Sequence, residues 1–129
     1  MSKRNIKQNT ISQEPYLVCE AIRSELEDAK AENVVTINLS GKSVIADYMI
    51  LATGKSHRQL GAFSSRLRNL FKLVGIKSVL FEGEENGDWI LIDARDVIVH
   101  LFRPEVRSFY NLEKMWLAEM PSDNIQLTD

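Results

Sequence analysis

At 129 residues, with 44% apolar and 26% charged side chains, the chain has room for one domain with a real core and none for a second catalytic domain. That balance excludes collagen-like, disulfide-framework and wholly disordered classes. Sixteen lysines and arginines against 18 aspartates and glutamates leave a formal net charge of −2, so charge alone does not hold the chain on nucleic acid, and any RNA contact must be local.

Residues 1–13 carry Lys3, Arg4 and Lys7 among polar neighbours and read as a loose basic tail. Pro15 sits where a first-turn proline is tolerated. Leu17, Val18, Ala21, Ile22, Leu26 and Ala29 then recur at helical spacing, predicting a helix to about Lys30. Its other face, with Glu20, Glu25, Glu27 and Asp28, reads as solvated. The β-branched run 34–39 ends at Ser40 and Gly41, and Asp47 opens a second strand through Thr53, so the pair is expected as a hairpin.

Ser56 and Gln59 have capping-box spacing and start a second helix. Its stripe of Leu60, Phe63, Leu67, Leu70, Phe71 and Val74 ends at Gly75, a good left-handed terminator, and its opposite side carries Arg58, Arg66, Arg68 and Lys72. Strands at 79–81 and 89–93 flank a loop containing Asn86 and Gly87. A tight turn at Asp93–Asp96 leads into Val97–Phe102, whose single polar member is His100, so a central strand covered on both faces is expected. Pro104 opens a third helical segment to Leu117, and a polar tail follows Pro121. Helix, two strands, helix, three strands, helix predicts a two-layer α/β or α+β fold, with two helices covering one face of a mixed five-stranded sheet. The domain is placed at 14–117 and the flexible tails at 1–13 and 118–129.

Most chemical motifs fail on inspection. Gly-Lys-Ser occurs at 41–43 and 54–56, but the further glycine of a phosphate-binding loop is replaced by Thr36 and Met49, so turn and helix cap are the default. Cys19 has no partner for an internal disulfide and no basic neighbour to activate it, and reads as an inert thiol. His57 and His100 are too few for a Cys/His zinc cluster, and a lone strand histidine reads as a hydrogen-bonded group before a general base. Asp93 and Asp96 flank a turn as metal-holding carboxylates do, yet aspartate also caps turns for local reasons, and Asp47 is equally ambiguous. Trp89, Tyr110 and Trp116 read as interface anchors or as core. Trp89 adjoins the acidic loop of Glu82, Glu84, Glu85 and Asp88, an edge suited to a basic protein partner. No stretch approaches the roughly 20 apolar residues of a membrane span, and a cytoplasmic protein is expected.

The segments 47–60 and 82–116 resemble the ribosomal silencing factor family, also called RsfS or Iojap. The pattern comprises Asp47 and Tyr48, then Thr53, Gly54 and Ser56 with Arg58 two residues on. Glu82, Gly83 and Trp89 follow, then Asp93 and Asp96 about a turn, and Val97, Val99, His100 and Phe102. Arg107 with Tyr110, and Leu112 with Glu113 and Trp116, complete it. One departure is Arg95, where the family usually has a glycine; a side chain there makes a positive φ costly.

The resemblance implies a non-enzymatic protein without cofactor or metal, its fold similar to a nucleotidyltransferase core that lacks the catalytic set. It implies binding to the 50S subunit through ribosomal protein L-fourteen, steric blocking of 30S–50S association, and translational repression under nutrient limitation, stress or stationary phase. On that basis Trp89 with Glu82, Glu84 and Asp88 is expected in the docking surface, and Tyr48, Arg58, Arg107 and Tyr110 as contacts or supports. The basic tail is a candidate for rRNA contact, and the aromatic edge for a homodimer. The rival readings are a metal-dependent nucleotidyltransferase using Asp93, Asp96 and Asp47, and an RNA-binding module using the basic side of the second helix.

Overall fold

A strand apolar on both faces needs cover on both, and the run Val97–Phe102 takes that position. In the computed structural model, which describes residues 14–110, it is β5, the middle strand of a five-stranded sheet. The others are β1 (Glu32–Asn38), β2 (Tyr48–Thr53), β3 (Leu80–Glu82) and β4 (Trp89–Asp93). Their order is β1-β2-β5-β4-β3; β2 and β5 run parallel and the remaining neighbours antiparallel. The helices are α1 (Pro15–Asp28), α2 (His57–Val74) and α3 (Pro104–Tyr110). This is the expected α+β architecture with its mixed sheet and β1–β2 hairpin. Both expected tails, and the third helical segment beyond Tyr110, lie outside the described residues.

α1 and α2 cover one face. Val18, Cys19, Ile22 and Leu26 from α1 meet Leu60, Phe63, Leu67 and Phe71 from α2 over Ile50, Ala52, Ile90, Ile92, Val99 and Leu101 of the sheet. The buried stripe of α1 is rotated from the expected one: Leu17 is exposed, and Cys19 is buried in the core instead. Alternation sends Val35, Ile37, Met49, Leu51 and Phe102 to the other face, where Leu39 completes a second buried cluster with Trp89 and Val106 packed against it.

Local chemistry sets the ends of these elements. Gln59 N–H donates to Ser56 Oγ at 3.1 Å, as expected, but the Gln59 side chain returns to Lys55 N–H at 2.6 Å, one residue before the cap. Gly75, at φ 81, closes α2: its N–H donates to Lys72 O and that of Ile76 to Phe71 O, the paired bonds of a Schellman motif. In the β4–β5 turn Ala94 N–H donates to Val97 O at 2.9 Å and Arg95 N–H to Asp93 Oδ1 at 3.0 Å. Closing the turn puts Arg95 at φ 73, the strained geometry anticipated from the missing glycine, at a cost of roughly 1 to 2 kcal/mol.

Candidate docking site

Three motif fragments meet at the end of the sheet where β2 and β5 finish and β4 begins. Register sets Phe102 between Thr53 and Trp89. Phe102 O accepts from Gly54 N–H at 3.1 Å, and Arg103 N–H donates to Asp88 O at 3.1 Å, so the strand ends are tied across their exits. Gly54 is required by crowding: a Cβ there would lie 2.7 Å from Leu60 Cδ2 and 2.9 Å from Phe63 Cε2. Gly83 is required twice over, with φ at +88 and an added Cβ only 2.2 Å from the Trp89 carbonyl oxygen. The Thr-Gly motif thus lets α2 pack close on the end of β2, and the Glu-Gly motif lets the loop backbone approach Trp89.

Trp89 is half-buried, neither a free anchor nor a core residue. Its ring lies 6.2 Å from that of Phe102 and 6.0 Å from that of His100, and its indole N–H donates to His100 Nδ1 at 3.1 Å. His100 is therefore the hydrogen-bonded strand histidine expected. Burial pushes its pKa down to about 4, so at neutral pH it is uncharged. With Nδ1 accepting from Trp89, the neutral ring carries its proton on Nε2 and keeps no lone pair for a general base.

The acidic loop does not form one continuous edge beside Trp89. Glu84 turns towards α2, where it accepts from Ser64 Oγ at 2.5 Å and from Arg68 Nη2 at 2.7 Å; these contacts hold its carboxyl below the usual range. Asp88 accepts from His57 Nε2 at 2.6 Å and from Arg103 Nη1 at 3.3 Å, while Arg103 Nη2 reaches Glu105 at 2.7 Å. Glu82, at the end of β3 opposite Leu91, and Glu85 are exposed.

The supporting candidates separate as well. Arg107 is a strut: Nη1 donates to Asn33 O at 2.8 Å and to Thr53 Oγ1 at 2.7 Å, and its guanidinium lies 5.4 Å from the Phe102 ring centre. A bulge in β1, with Asn33 at φ 51, presents that carbonyl. Tyr48 lies at the far end of β2, on the helix-side face, with its ring 6.3 Å from that of Tyr16, and burial raises its pKa. Arg58 is exposed in the first turn of α2. Tyr110 ends α3, and its side chain falls outside the described residues. Arg103 was not singled out from sequence; its signal is its place directly after β5, where it faces the exits of both neighbouring strands.

The rival chemistries find less. Asp93 caps its own turn, and Asp47 pins a loop: its N–H donates to Asp96 O at 2.8 Å and its carbonyl accepts from Leu39 N–H at 2.7 Å. Among the described residues no group of three or more His, Cys, Asp or Glu is placed to hold a metal ion. On the basic side of α2, Arg66 is paired with Glu25 and Arg68 with Glu84, so half of the four cations are already neutralised. Cys19 is buried, and desolvation pushes its thiol up to about 11, the inert state expected. No helix among the described residues is long and apolar enough to cross a membrane.

Fold and sheet end together define a small α+β domain whose motif residues hold a half-buried tryptophan at a strand exit. The chain belongs to the ribosomal silencing factor family: residues 12–129 match the family model described as "Ribosomal silencing factor during starvation". It is 46% identical over 110 residues to the ribosomal silencing factor RsfS of Zymomonas mobilis, covering 85% of this chain and 83% of that one. It is 30% identical over 105 residues to the mouse protein named mitochondrial assembly of ribosomal large subunit protein 1, covering 79% of this chain and 46% of that one. A crystal structure of a Chromobacterium violaceum protein superposes with a TM-score of 0.76 at 33% identity, covering 81% of this chain and 87% of that one.

Proposed function

We propose that this protein is a non-enzymatic cytoplasmic repressor of translation. It docks on the 50S subunit through ribosomal protein L-fourteen and blocks joining of the 30S subunit by overlap, under nutrient limitation or in stationary phase. The observation that carries the reading is family membership. A relative named for assembly of the ribosomal large subunit supports the choice of subunit.

The physical requirement is modest. A stable protein contact buries roughly 1,200 to 2,000 Å² in total, within reach of one end of a domain this small, and steric blocking needs only a rigid body at the right place. Rigidity at the strand exits comes from the Arg107 strut and from the Asp88, His57 and Arg103 contacts. Trp89, with Glu82 beside β4, is the anchor we assign; Asp88 and Glu84 act through the contacts that hold the loop.

Trp89→Ala tests the assignment by its affinity for purified 50S subunits. Loss of a hot-spot tryptophan weakens binding by about 2 kcal/mol, close to thirtyfold. Thermal melting measured beside it separates lost docking from lost packing. A folded variant that binds 50S as the parent does removes Trp89 from the interface.

A further inference from the structure

At the end of the sheet opposite Trp89 lies a cleft of about 230 Å³. Its place follows from register: the turn at Ala94–Asp96 joins the far ends of β4 and β5, whereas Trp89 pairs with Phe102 at the near end. The first turn of α1, the segment following α2 and the β4–β5 turn enclose it. Pro15 and Ile76, both half-buried, provide its accessible apolar lining, over Val18, Ala94 and Val97 of the helix-side core.

The rim is charged. Lys77 and Arg95 are both exposed there, and neither enters an ion pair formed among the described residues. Asp96 is the one carboxylate in the lining, so two cations against one anion leave the cleft positive by one charge. Arg95 stands at φ 73, a position glycine occupies without strain, so its charge is kept at this mouth at a conformational cost. Size narrows the occupant: ligand pockets for drug-sized molecules begin at roughly 300 Å³, so this cleft is too small for a nucleotide and sufficient for one ring or a branched alkyl group.

We propose that this cleft binds a small organic anion. One carboxylate or phosphate group is held by Arg95, through the forked donors of its guanidinium, and by Lys77; an apolar body no larger than a single ring rests against Pro15 and Ile76. The site lies away from Trp89, so it stands or falls independently of the ribosomal reading.

Amide NMR on the full ¹⁵N-labelled chain tests it, with benzoate and phenyl phosphate as probes and benzyl alcohol as the uncharged control. Saturable shifts of the Lys77, Ala94, Arg95 and Val97 amides are expected with at least one anion, and the alcohol should bind about tenfold more weakly, the usual worth of a charge-assisted contact. Whichever anion binds tighter identifies the headgroup. Arg95→Gly removes the cation while relieving its strained backbone, so a similar loss in this variant cannot be assigned to misfolding. Absence of saturable shifts at millimolar anion, equal affinity for the alcohol, or full affinity in Arg95→Gly would each overturn the proposal.

Discussion

His100 gives the sharpest physical prediction. Its ordinary pKa of 6.5 falls to about 4 in the folded chain because burial penalises the imidazolium. Between those values the unfolded chain holds a proton that the folded chain does not, so stability is complete above pH 6.5 and is lost as the pH falls towards 4. The full displacement corresponds to roughly 3 kcal/mol, and the part already spent at pH 5 to about 2 kcal/mol, at about 1.4 kcal/mol per pH unit. His100→Gln keeps an acceptor for the Trp89 indole N–H, 3.1 Å away in the parent, and removes the titration. Urea unfolding of both proteins at pH 7, 6 and 5 should show the parent losing about 2 kcal/mol more than the variant over that interval. Parallel pH profiles, or a His100 proton titrating near 6.5 by NMR, would refute the burial argument.

Other substitutions test the turns and the strut. Arg95→Gly relieves a positive φ and should raise stability by about 1 kcal/mol, read as a higher urea midpoint at unchanged slope. Gly83→Ala forces a Cβ against the Trp89 carbonyl and should cost about 3 kcal/mol or more, seen as a large drop in melting temperature. Arg107→Lys keeps the charge but loses the longer, planar guanidinium that lies over the Phe102 ring while it reaches Asn33 O and Thr53 Oγ1. It should lower stability by about 1 to 2 kcal/mol by urea unfolding and speed amide exchange in α3.

Much of the fold was legible because its signals are local. β4 and β5 have the residue bounds that alternation and the Asp-flanked turn predict, and Ser56 and Gly75 bound α2 through bonds made within a few residues. The α1 stripe was misread at Leu17 because helical spacing alone does not fix which way a two-sided pattern faces; contact with α2 and the sheet does. The candidate docking end was legible only in part. Pairing β4 with β5 through that turn already makes His100 a diagonal neighbour of Trp89, so their bond was within reach of register arithmetic. The turning of Glu84 to Arg68 and of Asp88 to His57 and Arg103 joins residues 15 to 31 positions apart in the chain, and no local pattern announces them. Arg107 reads as a contact or a support from sequence, and only its approach to the bulge carbonyl of Asn33 gives it the strut's role.

Sedimentation of purified 30S and 50S subunits, under conditions where they join, is the direct test of whether the protein blocks their association. Added protein should comigrate with 50S, and the 70S peak should decline as its concentration rises. Protein left at the top of the gradient beside an intact 70S peak would contradict such blocking.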